Sequence, residues 1–356
     1  MSSPAPPSSN ATPTVVVQQA NGWNRFVSGL GWSLFFFTGL ALLIVSIVLI
    51  GFLGVYSDYF DTTEGITEKY VSGAKTGSDK VAVISIEGVI MEGDGFVKHQ
   101  IDRIRDDDSV KAVVVRVDSP GGTVTGSDYI YHHLTKLREE KGVPIVVSMG
   151  AIAASGGYYV SMAVGDQERA IYAEPTTTTG SIGVIIPHYN ISGLMKEYNI
   201  EDDSIASHER KQMLAMTKEM PPEHRTIIQQ YVNEAFGRFK DIVKSGRPDY
   251  RQHPEKLDEL ATGEIFSAVR AKEKGLVDEL GFLEDAVDRA IELANLNEDS
   301  VRVVKYKRPA ALFDLGNIGS AKAGQNELGM LFELSTPKAY YISTMLPAIF
   351  STHRAD

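Results

Sequence analysis

The longest uninterrupted apolar run of the chain lies near its N-terminus. Residues 26–57 contain no Asp, Glu, Lys or Arg. The central stretch Trp32–Tyr56 has 25 residues, enough for a helix to cross a hydrocarbon core of about 30 Å, and its aromatic ends suit the two membrane interfaces. The pattern predicts one transmembrane helix over 26–57. It favours neither a buried core helix nor a cleavable signal peptide, whose apolar region is shorter.

The flanks of this run predict its orientation. Residues 1–25 are rich in Ser, Pro and Ala and carry no charge before Arg25, which is typical of a disordered tail. Asp58 and Asp61 follow the run. Because basic residues are retained on the cytoplasmic side, we expect a cytoplasmic tail and a single-pass protein of the cell inner membrane, with the following domain extracytoplasmic. Residues 58–80 are predicted to form a linker.

Beyond the linker, β-branched apolar runs alternate with amphipathic segments. Such alternation is typical of an α/β domain whose strands pair largely in parallel, and we assign it to residues 81–308. The predicted strands cover residues 81–87, 111–118, 144–149, 170–173, 182–186 and 301–306, and the predicted helices cover 97–105, 126–140, 153–164, 221–244 and 282–296.

Residues 309–356 are predicted to form a C-terminal loop followed by an apolar tail segment. Gly, Ala, Asn and Ser are frequent in residues 310–329. The apolar tail, residues 338–350, is too short to span a bilayer. We expect it to pack on the domain as a helix or strand; contact with lipid or with a neighbouring subunit is the alternative.

Charge and cysteine content narrow the chemistry. The net charge of −11 disfavours general nucleic-acid binding, because an acidic surface repels phosphates. The chain has no cysteine, which excludes disulfides, thiolate-bound zinc and a cysteine nucleophile.

Two glycine-rich corners follow predicted strands, at Asp118–Thr123 and Met149–Tyr159. A corner that leads from a strand into a helix exposes backbone N–H groups, which suit an anion or a developing oxyanion. Ser155 stands at the start of a helix with glycines behind it, as a nucleophilic serine would. The alternative is a helix N-cap, in which the hydroxyl accepts a hydrogen bond from the first turn.

A nucleophilic serine needs a base. None of the eight histidines lies in a triad pattern. A lysine can serve when burial in an apolar site lowers its pKa and keeps it neutral. Lys211 lies beside Met213 and Leu214, but the residues alone do not select it from the other lysines.

Three segments in order resemble the signal peptide peptidase A (SppA) family of membrane-bound Ser/Lys proteases. They are Asp118–Thr123, Ala154–Tyr159 and Thr178–Val184. The resemblance covers residues 81–296 and extends to the N-terminal anchor. It implies the ClpP/crotonase-like fold, a spiral of ββα units.

Residue by residue, the resemblance assigns Ser155 as nucleophile and Ser181 as the serine that positions the lysine. Gly122 and Gly156 match the donors of the oxyanion hole. The catalytic lysine precedes a segment that matches Glu219–Glu223, and counting back from it reaches Lys211. The local sequence differs from the family's pattern there, so Lys218 and Lys196 stay open as alternatives.

The implied activity is a serine endopeptidase that needs no metal or cofactor. Its substrates would be remnant signal peptides and other short or unfolded hydrophobic peptides, and it would assemble as a homo-oligomeric ring. Two alternatives share the fold: a crotonase-type acyl-CoA enzyme and a non-catalytic membrane scaffold.

Overall fold

A computed structural model of the protein describes residues 22–60, 65–308 and 339–342. The chain divides into two units, one through Asp61 and one from Thr62. Each is described by itself. Most of the predicted tail, residues 1–21, and most of the C-terminal region, residues 309–338 and 343–356, lie outside the described residues.

The N-terminal unit contains helix α1, Gly22–Phe60. Its stretch Gly31–Gly54 has 24 residues, a mean hydropathy of 2.7 and no buried positions. The hydroxyls of Thr38 and Ser46 donate to carbonyls one turn back, at Leu34 and Leu42, so these two polar groups are satisfied within the helix, as a lipid environment requires. Its length and composition are compatible with a single-pass membrane anchor.

The second unit alternates strands and helices. Its strands are β1 Thr67–Gly73, β2 Asp79–Glu87, β3 Val110–Ser119, β4 Gly121–Thr123, β5 Ile145–Ala154, β6 Ile171–Ala173, β7 Thr178–Gly180, β8 Ile265–Ser267, β9 Glu279–Leu280, β10 Val301–Lys307 and β11 Tyr340–Ile342. Its helices are α2 Phe96–Arg105, α3 Val124–Lys141, α4 Gly156–Ser161, α5 Ser192–Glu197, α6 Pro222–Gly246, α7 Pro248–Gln252, α8 Pro254–Leu260, α9 Ala268–Glu273 and α10 Leu283–Leu293.

One large sheet organises this unit, in the order β1-β10-β2-β3-β5-β6-β9, with β7 paired to β5 and β8 paired to β7. The pairs β10–β2, β2–β3, β3–β5, β5–β6, β6–β9 and β5–β7 are parallel. The pairs β1–β10 and β7–β8 are antiparallel. Strand β3 is buried along most of its length, as its unbroken valine run predicts for a strand covered on both faces. The predicted α/β class with largely parallel pairing is confirmed.

Three local predictions were wrong. Strand β5 continues through Ala154, so the helix predicted from residue 153 begins only at Gly156. The strand predicted over 182–186 lies instead at β7, and only Ile185 in that stretch forms a bridge. Both errors lie at corners where Ser155 and Ser181 adopt positive φ, which side-chain pattern does not reveal. The third concerns the predicted linker 58–80, which contains β1 and the start of β2.

The short strand β11 pairs antiparallel with β4, Tyr341 opposite Gly122. Tyr340 also exchanges backbone hydrogen bonds with Ile185, of 2.9 and 3.0 Å. For these residues, the prediction that the apolar tail segment packs on the domain is confirmed: Tyr340 and Tyr341 are fully buried.

Candidate active site

The two glycine-rich corners meet at the carboxyl ends of β3 and β5. These strands pair in parallel, and Ser119 at the end of β3 lies opposite Ala153 near the end of β5. A Cβ built on Gly156 would lie 3.1 Å from the backbone nitrogen of Gly122. The fold therefore brings both predicted oxyanion residues to one point.

Ser155 occupies the turn between β5 and α4 in a strained conformation, with φ 54° and ψ −113°. For a residue with a side chain, such a positive φ costs free energy and is kept only where the surroundings enforce it. Here the backbone N–H of Ser155 donates to the carbonyl of Gly180, and its own carbonyl accepts from the N–H of Tyr159, both at 2.8 Å. The backbone on both sides thus fixes the serine.

The hydroxyl of Ser155 is buried and makes no hydrogen bond with any residue the structure describes. It accepts no capping bond from α4. The N-cap alternative is therefore wrong. A buried hydroxyl without a partner costs stability, so its persistence among the described residues calls for an explanation other than packing.

Glycine is required at the corner because backbone and side chains approach too closely for a Cβ. A Cβ on Gly122 would lie 1.8 Å from the carbonyl oxygen of Ile90, and one on Gly156 would lie 2.4 Å from Ser127 Oγ. Gly121 has a φ of 103°. At these positions a larger residue would collide with the neighbouring backbone or side chain, so the two corners can pack this closely only with glycine.

Side-chain hydroxyls hold the first corner in place. Ser119 Oγ accepts from the N–H of Gly121 at 3.1 Å, and Thr123 Oγ1 caps α3 by accepting from Gly126 N at 3.0 Å. Ser127 Oγ donates to the carbonyl of Thr123 at 2.9 Å. The polar residues around the glycines therefore fix the backbone whose N–H groups border the site.

Helix α4 is anchored through Tyr159. Its phenolic hydroxyl donates to Asp128 Oδ1 at 2.5 Å, and Arg238 of α6 pairs with the same carboxylate at 3.0 Å. Burial, followed by the neighbouring Asp128, raises the pKa of Tyr159 well above its ordinary value, so it remains a donor. Sequence patterns had not pointed to this contact, because its members are far apart in the chain.

Ser181 lies beside the serine turn. The parallel register pairs Ala154 with Gly180, so Ser155 and Ser181 each follow a member of that pair. Ser181 also has a positive φ, of 52°, and its N–H donates to the carbonyl of Glu264 at 2.7 Å. The structure thus brings four of the predicted site residues together: Ser155, Gly156, Gly122 and Ser181.

The predicted base is in a different environment. Lys211 lies in a 3₁₀ turn, Glu209–Gln212, and is exposed. Its amine forms no hydrogen bond with Ser155, since the serine hydroxyl has no partner among the described residues. The alternative Lys218 donates to Gln212 at 2.7 Å and lies 3.7 Å from Asp202. Lys196, the other alternative, is near the end of α5 and is exposed too.

The segment around these lysines exposes apolar side chains. We define the apolar segment as residues 185–216; its exposed members are Ile185, Tyr189, Ile191, Leu194, Tyr198, Ile200, Ile205 and Met216. Ile205 is 102% exposed and Tyr198 67%. So many exposed apolar side chains on one segment are typical of an interaction site.

Strand β11 occupies the edge of the glycine corner. A Cβ built on Gly121 would lie 2.1 Å from the carbonyl oxygen of Tyr341 and 2.7 Å from the nitrogen of Gly156. The ring of Tyr341 stacks on Tyr159 with centroids 5.0 Å apart, and its hydroxyl donates to the carbonyl of Ala235 at 2.8 Å. An extended segment can therefore present a carbonyl beside Gly156 while its side chain enters an aromatic pocket.

A cavity of about 380 Å³ lies next to this edge. Its lining combines aliphatic side chains with the polar His188, Arg225 and Gln229. It includes Ile185, whose backbone bonds to Tyr340. Within the described part of the chain, no cluster of His, Asp and Glu side chains could hold a metal ion. The site consists of a serine, backbone donors and an edge that accepts a strand.

Comparison with known proteins supports a peptidase. Residues 137–297 match the model of peptidase family S49. A protein of Enterococcus faecium, provisionally named signal peptide peptidase SppA, is 32% identical over 279 residues, which cover 75% of this chain and 78% of that protein. Protease 4 of Salmonella typhi is 36% identical over 63% of this chain. Serine protease SPPA of Arabidopsis thaliana chloroplasts is 30% identical over 75% of it.

The last two relatives are longer proteins, since the matched regions cover 36% and 41% of their lengths. A protease of Synechocystis, also provisionally named, is 36% identical, with 81% of its length covered. These relatives favour a serine peptidase over the acyl-CoA enzyme and the non-catalytic scaffold. The predicted ClpP-like fold agrees with the matched family. The chain belongs to peptidase family S49.

Proposed function

We propose that the protein is a membrane-anchored endopeptidase with a Ser155–Lys211 dyad. The observation that carries this proposal is the buried, unpartnered hydroxyl of Ser155 on a strained turn beside the N–H groups of Gly122 and Gly156. A hydroxyl kept in that state needs a base, and the adjoining donors suit the oxyanion that its attack on a carbonyl would create.

The proposed reaction has two halves. Neutral Lys211 accepts the proton of Ser155 Oγ as the oxygen attacks the peptide carbonyl carbon, and Gly122 and Gly156 stabilise the oxyanion, by about 3 kcal/mol per donor. Collapse of the intermediate breaks the C–N bond, and Lys211 protonates the leaving amine. Lys211 then takes a proton from water as the water oxygen attacks the ester carbon. As the C–O bond to Ser155 breaks and the acid is released, Lys211 gives that proton to Ser155 Oγ.

Two copies of the chain are expected to complete the dyad. Lys211 is exposed in the single chain and is carried by the apolar segment, whereas Ser155 is buried without a partner. Packing of the apolar segment on a neighbouring copy would bury the amine, which favours its neutral form. A closed ring would repeat this contact and leave no copy without a base.

The substrate is proposed to bind as a strand along β4, in the place of residues 340–342. The antiparallel pairing of residues 340–342 with β4 supports this proposal. Main-chain hydrogen bonds can hold any extended peptide, and side-chain pockets determine which peptides bind best. The pocket around Tyr159 presents aromatic rings, and the cavity beside Ile185 is lined by several aliphatic side chains. Short or unfolded hydrophobic peptides, such as signal peptide remnants, fit these surfaces.

The anchor is proposed to hold this site near its substrates. Helix α1 is compatible with one membrane crossing, and remnant signal peptides are apolar segments left in the bilayer. We place the chain in the inner membrane, with its N-terminus cytoplasmic and its peptidase domain outside, on the basis of Arg25 before the apolar stretch of α1 and the acidic residues after that stretch.

A fluorophosphonate probe tests the nucleophile in the full-length, detergent-solubilised protein. We expect the probe to label Ser155 and the Ser155→Ala variant to remain unlabelled. Ser161 gives a matched control: it is also buried in α4, but its hydroxyl already donates to the carbonyl of Gly157 at 2.8 Å. Labelling should persist in Ser161→Ala. If Ser155→Ala is folded and still labelled to the wild-type extent, the proposed nucleophile is wrong.

A further inference from the structure

Three lysines project from one face of the β1–β10 ribbon. The antiparallel register places Lys69 opposite Lys305 and Thr67 opposite Lys307. Residues directly opposite each other share a face of the sheet, so Lys69, Lys305 and Lys307 lie together. All three are exposed. We call them the lysine triad.

The triad has no acidic partner in the part of the chain that the structure describes. Among the described residues, no carboxylate oxygen lies within 4.0 Å of any of the three amines. Glu68, between Thr67 and Lys69, faces the other side and pairs with Lys80 at 2.6 Å. The charge of Lys69 is the main cause of a lowered pKa at Lys307, to which Lys305 also contributes. Repulsion among the triad is therefore not relieved within the described part of the chain.

This arrangement contrasts with the charge of the rest of the domain. Residues 58–356 contain 34 basic and 46 acidic side chains. The lysine triad is therefore a positive cluster in a region whose net charge is negative. A surface that concentrates one charge against the net charge of its domain is typical of a site for an oppositely charged partner.

The lysine triad begins shortly after α1 in the sequence. Helix α1 ends at Phe60 and β1 begins at Thr67, with only residues 61–66 between them. Six residues span about 20 Å when fully extended. If α1 crosses a bilayer, Lys69 follows the end of the anchor by only nine residues of sequence.

From this we infer that the lysine triad binds the headgroups of anionic phospholipids in the membrane that holds α1. The inference rests on the proposed membrane anchor. Phosphodiester groups at a bilayer surface would supply the negative charges that the triad lacks, and several lysines near such a surface act together. Contact at this face would add a second attachment beyond α1 and restrict rotation of the domain about its tether.

Amine footprinting of the full-length protein in lipid nanodiscs tests this inference. Discs of pure phosphatidylcholine are compared with discs that contain phosphatidylglycerol, and acetylation of each lysine by a water-soluble N-hydroxysuccinimide ester is followed by mass spectrometry. We expect Lys69, Lys305 and Lys307 to react about threefold more slowly in the anionic discs, with the difference lost at high salt because the contact is electrostatic.

Lys136 and Lys256 serve as internal controls: both are exposed elsewhere in the domain and should react equally in both discs. The variant Lys305→Glu should abolish protection of Lys69 because it introduces the missing carboxylate, whereas Lys256→Glu should leave that protection unchanged. Protection in anionic discs that persists in Lys305→Glu would contradict the role of the triad.

Three further results would overturn the inference. Equal rates at the triad in the two kinds of disc would remove the lipid site alone. Equal protection by inorganic phosphate in phosphatidylcholine discs would mean that the triad binds a small anion and not a bilayer. A chain that does not copurify with the discs would remove the anchor as well as the site, while probe labelling of Ser155 would still report on the proposed peptidase.

Discussion

The two halves of the proposed dyad lie in regions of opposite character. Around Ser155, backbone and side chains are buried, and hydrogen bonds from β7, α3 and α4 fix each turn. Around Lys211, the chain is exposed, with short helical turns and apolar side chains in solvent. The fold of one chain thus buries the proposed nucleophile beside the proposed oxyanion donors and leaves the proposed base exposed.

This difference indicates what would have to bury the amine of Lys211. The strain at Ser155 and its unpartnered hydroxyl are maintained by the core of one chain. Lys211 has no such surroundings, so desolvation of its amine requires a further contact. The apolar segment offers the surface for it, and a neighbouring copy of the chain is the partner that the proposal names.

The largest expected effect comes from removing the base. We expect Lys211→Ala to lower kcat for casein by about 10²–10⁴-fold, the range of a general acid–base residue. Lys218→Ala is the matched control, because Lys218 lies on the same segment but is held by Gln212 and Asp202. Wild-type kcat in Lys211→Ala, or an equal loss in Lys218→Ala, would contradict the assignment.

Mixing two inactive chains sharpens the comparison. If each dyad joins two copies, coassembly of Ser155→Ala with Lys211→Ala should restore a fraction of wild-type activity, since some sites would combine an intact serine with an intact lysine. Each variant alone is the control. Coassembled chains, verified by affinity tags, that stay inactive would mean that the dyad forms within one chain.

A smaller loss is expected when charge is placed on the apolar segment. Ile205 is fully exposed, so Ile205→Asp should fold normally. A carboxylate buried in a contact between copies is costly, and we expect a lower assembly mass by light scattering and a loss of activity of about tenfold or more. Val269→Asp, on α9 and 48% exposed, is the matched control. Unchanged mass and activity in Ile205→Asp would remove this surface from the interface.

Sequence patterns predicted the buried region well because its signals are local. The valine run of β3 predicts a buried strand, and the glycine-rich corners predict where strands end. These signals correctly predicted that Gly122, Ser155 and Gly156 follow strands. The positive φ at Ser155 and Ser181 left no trace in side-chain pattern, which is why the boundaries around them were misplaced. The Tyr159–Asp128 contact and the β4–β11 pair depend on long-range packing that no local period encodes.

The smallest effect is expected at the strand that occupies the nucleophile's edge. Tyr341→Ala removes the ring contact with Tyr159 and the hydrogen bond to Ala235, so β11 should dock less firmly on β4. If peptides use this edge, a weaker competitor should lower the KM for a short hydrophobic peptide by about a few fold with little change in kcat. Tyr341→Phe, which keeps the ring, should lie between wild type and Tyr341→Ala. A lower Tm with an unchanged KM would mean that β11 only supports the fold and that substrate binds elsewhere, and the glycine corner would then lose its role as the peptide edge while Ser155 kept its role as nucleophile.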